Sequence, residues 1–279
     1  MAERSASLTA RGVAVLRAAH SIVDGKPPIL DDHVIGRLLG PDFERQVHER
    51  IDELQNPTAR GLRSHVLLRS RYAEDCLADA VGRGVSRYVL LGAGLDTFAY
   101  RQPAWARDIE IIEVDQPASQ AMKRAMLDAA GVVVPGNVRY ADVDFERESL
   151  AAAFARHGID TGTPTFFSWL GVTMYLERQA IDAVLATVAS FPRGSEIVLT
   201  FAQPRGADDP GARFAEQAAA VGEPWVSYFT PEEMRTLLEG HGFSSVALLE
   251  RDEAERRYFA GRSDGLLVPR RTAIVRATV

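Results

Sequence analysis

The sequence predicts an α/β protein with a doubly wound, mostly parallel sheet that follows an N-terminal helical segment. From Arg87 onward, short apolar runs alternate with stretches of helical spacing, which is the pattern of parallel strands joined by helices. Before that point the chain shows helical periodicity and no good strand. The first apolar run enters a glycine-rich turn, and such turns are typical of the ligand-binding edge of a doubly wound sheet.

Residues 1–86 are predicted to form a helical cap. Pro57 suits the first position of the longest helix, because the N–H that proline lacks is not needed there. The predicted helices are Leu8–His20, Ile35–Leu39, Pro41–Leu54 and Pro57–Val81.

Residues 87–279 are predicted to form the core, with a lid insertion at about 203–230, and to make one structural unit with the cap. Five runs are expected to be parallel, and the last two to close the sheet as an antiparallel pair. The seven runs are Tyr88–Leu91, Ile109–Val114, Val138–Ala141, Thr165–Leu170, Ile197–Phe201, Ser245–Leu249 and Arg271–Thr278. The helices expected between them are Ser119–Ala130, Leu176–Ser190 and Pro231–Glu239, the last with Thr230 as its N-cap.

Composition excludes several classes of protein. The net charge of −6 provides no general basic field, so no nucleic-acid partner is expected. No apolar run approaches the roughly 20 residues that span a bilayer, and the start of the chain does not resemble a signal peptide. The single Cys76 builds neither a disulfide nor a cysteine metal site. We expect a cytoplasmic protein without a membrane partner or a metal, and the sequence does not indicate its oligomeric state.

The glycine turn favours a cationic ligand. Gly92 and Gly94 allow close backbone approach, but a dinucleotide fingerprint would need a third glycine where Thr97 stands. Asp96 would repel a pyrophosphate and attract a cation. S-adenosylmethionine carries a sulfonium and an ammonium and no phosphate, so it fits better than a nicotinamide dinucleotide. A plain tight connection is the alternative.

Acidic residues at the next two strand ends indicate a nucleoside. Glu113 and Asp115 share strand parity, and an acid at this spacing accepts hydrogen bonds from ribose hydroxyls. Asp144 with Phe145 suits adenine, although Asp144 could equally begin a helical turn.

Four stretches carry a resemblance to a known family: VLLGAGLDTFAYR, EVDQP, DVDFERESL and FFSWLGVTMYL. With them, the chain resembles the bacterial S-adenosylmethionine-dependent O-methyltransferases related to the leucine carboxyl methyltransferases. The resemblance runs from LTARGVAVLRAAH to PWVSYFTPEEMRTLLEGHGF. It implies a class I methyltransferase-type, Rossmann-like, seven-stranded sheet with an added N-terminal helical cap or lid.

The resemblance also implies cofactor-binding residues. Gly92 and Gly94 would pass the methionine moiety, Asp115 would hold the ribose, and Asp144 and Phe145 would receive the adenine. Arg69 or Arg71 would pair with the methionine carboxylate, which an arginine fork suits well. Spacing favours Arg69, and a solvated helix face is the alternative for either arginine.

One residue departs from the family pattern. Leu170 stands before Gly171 where relatives often carry a glutamate near the sulfonium. That contact is therefore missing, or Asp96 or a neighbour provides it.

The acceptor pocket is expected to use aromatic residues. Candidates are Tyr175, Trp225, Tyr228 and Phe229, which give large contact areas but could instead pack the core. No histidine lies in a recognisable base motif. His20 and His33 lie in the cap, and His241 is read as a helix-end residue.

The leading hypothesis is an O-methyltransferase acting on a carboxyl or hydroxyl oxygen of a small metabolite. A carboxylate acceptor is ionised at neutral pH and needs no general base, whereas a hydroxyl does. A nicotinamide-dependent oxidoreductase is disfavoured by Thr97 and Asp96. A catalytically silent cofactor-binding module is the other alternative, and Leu170 gives it some weight.

Overall fold

A seven-stranded sheet forms the centre of the protein in the computed structural model, which describes residues 8–204 and 212–279. The strands are β1 Arg87–Leu91, β2 Glu110–Asp115, β3 Val138–Asp142, β4 Thr165–Trp169, β5 Glu196–Thr200, β6 Ser245–Leu248 and β7 Ile274–Thr278. Their order is β3-β2-β1-β4-β5-β7-β6. The first five are parallel, and β7 runs antiparallel to both β5 and β6. The predicted fold class is confirmed.

The strand order reverses between β1 and β4, which lie side by side at the centre. Connections that leave neighbouring strands in opposite directions open a crevice at their carboxyl ends. The loops after β1, β2 and β4 therefore meet at one edge of the sheet, which is where the sequence predicts the ligand.

Helices precede the sheet and connect its strands. The five before β1 are α1 Leu8–Val23, α2 Ile35–Leu38, α3 Phe43–Glu49, α4 Ile51–Gln55 and α5 Pro57–Gly82. The later ones are α6 Pro117–Ala129, α7 Leu150–Arg156, α8 Arg178–Ala189, α9 Ala212–Ala220, α10 Pro231–Gly240 and α11 Arg251–Ala254.

One predicted helix is wrong in extent. The segment Pro41–Leu54 is divided at Arg50, whose φ of −115° and ψ of 24° are not helical. Apolar spacing continues across the break, since Val47 and Leu54 are both buried, so periodicity gave no signal for it. The sequence reasoning also missed α7, α9 and α11. Part of the predicted lid, residues 205–211, lies outside the described residues.

The start of α10 follows the predicted capping chemistry. The Thr230 hydroxyl accepts a hydrogen bond from the Glu233 N–H at 3.2 Å, and the Glu233 carboxylate accepts from the Thr230 N–H at 2.7 Å. This reciprocal pair satisfies two N–H groups that the helix leaves free. Pro231 occupies the first turn as expected.

Both faces of the sheet are covered by apolar side chains. Val89 and Leu91 point into one buried cluster, and Tyr88 and Leu90 into the other, because successive residues of a strand face opposite sides. A third cluster joins the cap to Leu95, directly after the glycine turn. The cap is thus packed against the edge of the sheet that carries the crevice. Within the part of the chain that the structure describes, no helix is long and apolar enough to cross a membrane.

Candidate functional site

A cavity of about 1940 Å³ lies at the carboxyl ends of the central strands, beneath α1 and α5. The glycine turn, Asp115 and the loop after β4 form its floor. Pockets for a single small molecule typically measure about 300–1,000 Å³. The cavity therefore has room for a cofactor and a second molecule together.

The glycine turn packs directly against the loop after β4. Gly92 has a φ of +68°, and a Cβ atom there would lie 2.4 Å from Cγ2 of Val172. Gly94 has a φ of +47°, and its N–H donates to the carboxylate of Asp115. Glycine adopts such backbone angles without steric cost, so both positions favour it, and at Gly92 the missing side chain makes room for Val172.

Asp115 lies at the end of β2 and lines the cavity. One of its oxygens accepts from Gly94, and the other accepts from the N–H of Gln116 at 2.7 Å. Burial raises the pKa of this carboxyl, and the two N–H groups act in the opposite direction. An ionised carboxylate has about four acceptor positions, so Asp115 can accept further hydrogen bonds from ligand hydroxyls.

Glu113, which shares strand parity with Asp115, does not line the cavity. Its carboxylate is buried and accepts hydrogen bonds from Lys123 Nζ at 2.7 Å and from the Tyr100 hydroxyl at 2.9 Å. The Glu113 carboxylate therefore stabilises the protein interior and does not face the cavity.

Arg69 lies in the cavity wall on α5, with its guanidinium against Gly171. A Cβ atom on Gly171 would lie 2.5 Å from Nη1 of Arg69, so a glycine is needed at this place. Burial lowers the pKa of Arg69 to about 10, although Tyr175 and Asp96 act in the opposite direction. Within the described part of the chain, Arg69 forms no side-chain hydrogen bond or ion pair. A desolvated cation without an anion is costly, and a ligand carboxylate would supply the missing partner.

Arg71 lies outside the cavity. Its Nε forms an ion pair with Asp75 at 2.8 Å on the exposed side of α5. Of the two arginines that the sequence offers, only Arg69 lies on the side of α5 that faces the cavity.

Asp96 lines the cavity but is already paired. Its Oδ2 accepts from Arg17 Nη1 at 2.7 Å, and its Oδ1 accepts from the Phe98 N–H at 2.8 Å. Burial opposes ionisation, yet Arg17 and Arg101 hold the pKa of Asp96 well below its usual range. The charge expected to attract a cationic ligand is thus largely neutralised by Arg17, a residue that sequence reasoning missed.

Arg17 belongs to a buried network that joins the cap to the loop after β1. Asp32 lies 2.6 Å from Arg17 Nε and accepts from the Thr97 hydroxyl at 2.6 Å. Arg101 Nε donates to the same hydroxyl at 3.0 Å and pairs with Glu74. Thr97, which stands where a dinucleotide fingerprint has glycine, is therefore a structural member of this network.

The predicted adenine residues are placed differently from each other. Phe145 lines the cavity and packs on Trp169, with 6.3 Å between ring centroids. Asp144 does not line the cavity. Its carboxylate accepts from the Glu146 N–H at 3.1 Å, which agrees with the alternative that Asp144 begins a helical turn. Leu170 lines the cavity.

Two of the four acceptor-pocket candidates line the cavity. Tyr175 and Trp225 do so together, with ring centroids 6.5 Å apart and planes at 84°. Tyr228 and Phe229 do not. Phe229 is buried in the core, where its N–H donates to the Ala202 carbonyl, and Tyr228 is 40% exposed.

The histidines noted in the cap have other roles. His20 is buried, accepts from the Ile29 N–H at Nε2 and contacts Asp24 through Nδ1, both at 2.9 Å. His33 is exposed. His241, at the end of α10, contacts Asp182 at 2.9 Å. His65, one turn before Arg69, lines the cavity and was not noticed in the sequence.

Among residues 8–204 and 212–279, no group of three or more His, Cys, Asp or Glu residues could hold a metal ion.

The architecture and the crevice define a methyltransferase-type α/β fold. A DUF574 family protein of Streptomyces avermitilis has a TM-score of 0.58 at 14% identity, covering 98% of this chain and 97% of that one. A candidate methyltransferase of Thermobifida fusca also has a TM-score of 0.58, at 18% identity, with 98% and 94% covered. At these sequence identities, the similarity shows the fold alone.

Sequence comparisons identify the family. The leucine carboxyl methyltransferase profile matches residues 10–189. YktD of Bacillus subtilis, named as a candidate S-adenosyl-L-methionine-dependent methyltransferase, is 31% identical over 95% of both chains. A Mycobacterium marinum protein named in the same way is 33% identical over 80% of this chain and 73% of its own. The chain belongs to the leucine carboxyl methyltransferase family and is an S-adenosyl-L-methionine-dependent methyltransferase.

Proposed function

We propose that this enzyme methylates a carboxyl or hydroxyl oxygen of a small metabolite, and that Arg69, the glycine turn and Asp115 hold the cofactor. When bound, S-adenosylmethionine supplies a methyl carbon attached to a sulfonium. The observation that carries the proposal is Arg69, a partly buried cation in the cavity wall that forms no ion pair or side-chain hydrogen bond within the described part of the chain. The methionine carboxylate would provide one through a charge-assisted hydrogen bond.

The rest of the cofactor fits the remaining residues of the crevice. Gly92 and Gly94 place no side chains in the turn, and both line the same cavity as Arg69. The ribose hydroxyls would donate to Asp115, and the adenine would lie against Phe145. We assign no cofactor contact to Asp144, because its carboxylate caps the turn at Glu146.

The acceptor would lie beside Tyr175 and Trp225. Their rings close one side of the cavity near Arg69. Methyl transfer requires mainly that the acceptor oxygen be held in line and that water be excluded. A carboxylate needs no proton transfer, and His65 lies in the same cavity should the acceptor be a hydroxyl.

Cofactor binding is tested by calorimetric titration with S-adenosylmethionine, S-adenosylhomocysteine and NAD. We expect the two sulfur nucleosides to bind and NAD not to bind. Arg69→Gln should weaken S-adenosylhomocysteine binding by about 1.5–3 kcal/mol, the contribution of a hydrogen bond to a charged group. Arg71→Gln is the matched control on the same helix and should bind normally. Equal affinities in both variants would contradict the role of Arg69.

The acceptor oxygen is tested by methyl transfer to panels of small carboxylic acids and alcohols. A methyl ester is hydrolysed by mild alkali and a methyl ether is not, so the product identifies the oxygen that reacted. Methylation of amines or thiols alone would contradict O-methylation while leaving the cofactor assignment intact.

A further inference from the structure

The cavity continues along α5, away from the glycine turn. One face of α5 lines the cavity, with residues at helical spacing: Thr58, Leu62, His65 and Arg69. At 1.5 Å per residue, the axis from Arg69 to Thr58 spans about 16 Å. One end of this face lies at the proposed cofactor site, and the other lies beneath α3 and α4.

The walls along this stretch are apolar. They are contributed by α1, α3, α4 and α5, and we call the space between them the α5 channel. Its lining residues are Val13, Leu16, Phe43, Val47, Leu62 and Val66. The polar residues that line the far end are Gln46, Arg50, Glu53 and Asn56, and Arg50 forms an ion pair with Glu53. Apolar walls with a few polar groups at the ends are the usual lining of a site for an apolar ligand.

Polar groups converge at the near end. Thr9 and Trp225 line the cavity. The Thr9 hydroxyl and Trp225 Nε1 are buried beside it, and neither has a hydrogen-bond partner of good geometry in the described chain. Burial raises the pKa of Tyr175, and the adjacent polar groups of Trp225 and Thr9 offset part of that rise. Glu223 adds to the rise and Arg69 opposes it, so both charges lie near the Tyr175 hydroxyl. Buried donors are normally satisfied, so a ligand oxygen fits between these three groups.

We propose that the methyl acceptor is an elongated, mostly apolar carboxylic acid. Its carboxylate lies beside Thr9, Tyr175 and Trp225, and its apolar body fills the α5 channel. This proposal rests on the proposed function and narrows its substrate class. One carboxylate oxygen forms the bond to the methyl carbon, the carbon–sulfur bond breaks with its electron pair remaining on sulfur, and no proton moves.

The test compares straight-chain acids of four, eight and twelve carbons as methyl acceptors of the full chain. We expect KM to fall by at least tenfold from four to eight carbons, because each buried methylene improves binding about fourfold. Alcohols of equal length and anthracene carboxylic acid form two further arms, which separate acids from hydroxyls and aliphatic from aromatic bodies.

Leu62→Trp is designed to block the channel, since Leu62 is partly exposed to it and lies outside the buried clusters. This variant should raise KM for the twelve-carbon acid at least tenfold and leave the four-carbon acid and S-adenosylhomocysteine affinity unchanged. Asp79→Trp, on the exposed side of the same helix, should change none of these values. Calorimetric binding of dodecanoate to the S-adenosylhomocysteine complex gives a readout that needs no variant.

Two sets of results would overturn the proposal in distinguishable ways. A KM independent of chain length, no binding of dodecanoate, or better turnover of alcohols would remove the elongated acid and leave O-methylation standing. Intact S-adenosylhomocysteine binding with no methylation of any acid or alcohol would remove the proposed function as well.

Discussion

Arg69 and Gly171 illustrate how two residues far apart in the chain define one contact. The guanidinium lies where the side chain of any other residue at position 171 would be. Gly171 also has a φ of +75°, which side chains disfavour. Both the backbone angle and the contact with Arg69 therefore require glycine at position 171. The contact leaves room for the arginine that we propose to hold the cofactor.

Gly171→Ala should weaken S-adenosylhomocysteine binding by about tenfold or more, because displacing Arg69 loses a charge-assisted hydrogen bond of about 1.5–3 kcal/mol. Calorimetric titration measures the effect. Gly82→Ala is a suitable control, since a Cβ atom there meets nothing within 4 Å. Unchanged affinity in Gly171→Ala would show that the position of Arg69 does not matter for the cofactor.

At the scale of elements, α1 has two roles. Val13, Leu16 and Arg17 all line the cavity, and Arg17 also enters the buried network below the glycine turn. Since Asp96 both pairs with Arg17 and caps the Phe98 N–H, the docking of α1 also holds the loop after β1 in shape. The cap is thus a structural part of the cofactor crevice.

Arg17→Met should destabilise the protein by about 3–5 kcal/mol, because it removes the closest cation from the carboxylates of Asp32 and Asp96 and leaves only the more distant Arg101. We also expect weaker S-adenosylhomocysteine binding, since the glycine turn loses its support. Urea unfolding and calorimetry measure the two effects. Arg11→Met is the control on the exposed side of α1, and equal stability of the two variants would refute the role of the network.

At the scale of the whole molecule, carboxylates tie segments that are distant in the chain. Asp264 accepts from the Gly25 N–H at 2.9 Å and pairs with Arg262. Burial acts against ionisation, but Arg262 and the N–H groups of Gly25 and Leu266 lower the pKa of Asp264 to about 2. This contact joins the segment after α1 to the segment before β7.

The contribution of Asp264 to stability should depend on pH with a definite sign. Its folded-state pKa lies below the unfolded value of about 4, so the contribution is complete above about pH 4 and is lost as pH falls toward 2. Asp264→Asn should therefore lower the free energy of unfolding by about 1–3 kcal/mol at pH 7. The difference in stability between this variant and the wild type should become smaller below about pH 4.

Urea unfolding at pH 7, 5, 4 and 3 measures this difference. Asp31→Asn alters an exposed aspartate and should have no effect at any of these pH values. A difference between wild type and Asp264→Asn that stays constant down to pH 3 would show that the carboxylate charge is not responsible.

Local patterns in the sequence predicted what local physics determines. Strand positions, the glycine turn and the Thr230 N-cap all follow from neighbouring residues. The pairing of Arg17 with Asp96, or of Arg69 with Gly171, joins positions about 80 to 100 apart and leaves no periodic signal. Trp225 and Tyr228 show the same limit, since only the first lines the cavity although both lie in one aromatic segment.

The antiparallel placement of β7 has a consequence for biosynthesis. Among the described strands, β6 pairs with β7 alone, and β5 meets β6 only through β7. A chain emerging from the ribosome would therefore carry two unpaired strand edges until its last strand arrives, and such edges promote association with other chains. Chaperone contact during synthesis would be directed at β5 and β6. In the finished sheet β7 pairs with one edge of each, and the other edge of β6 ends the sheet.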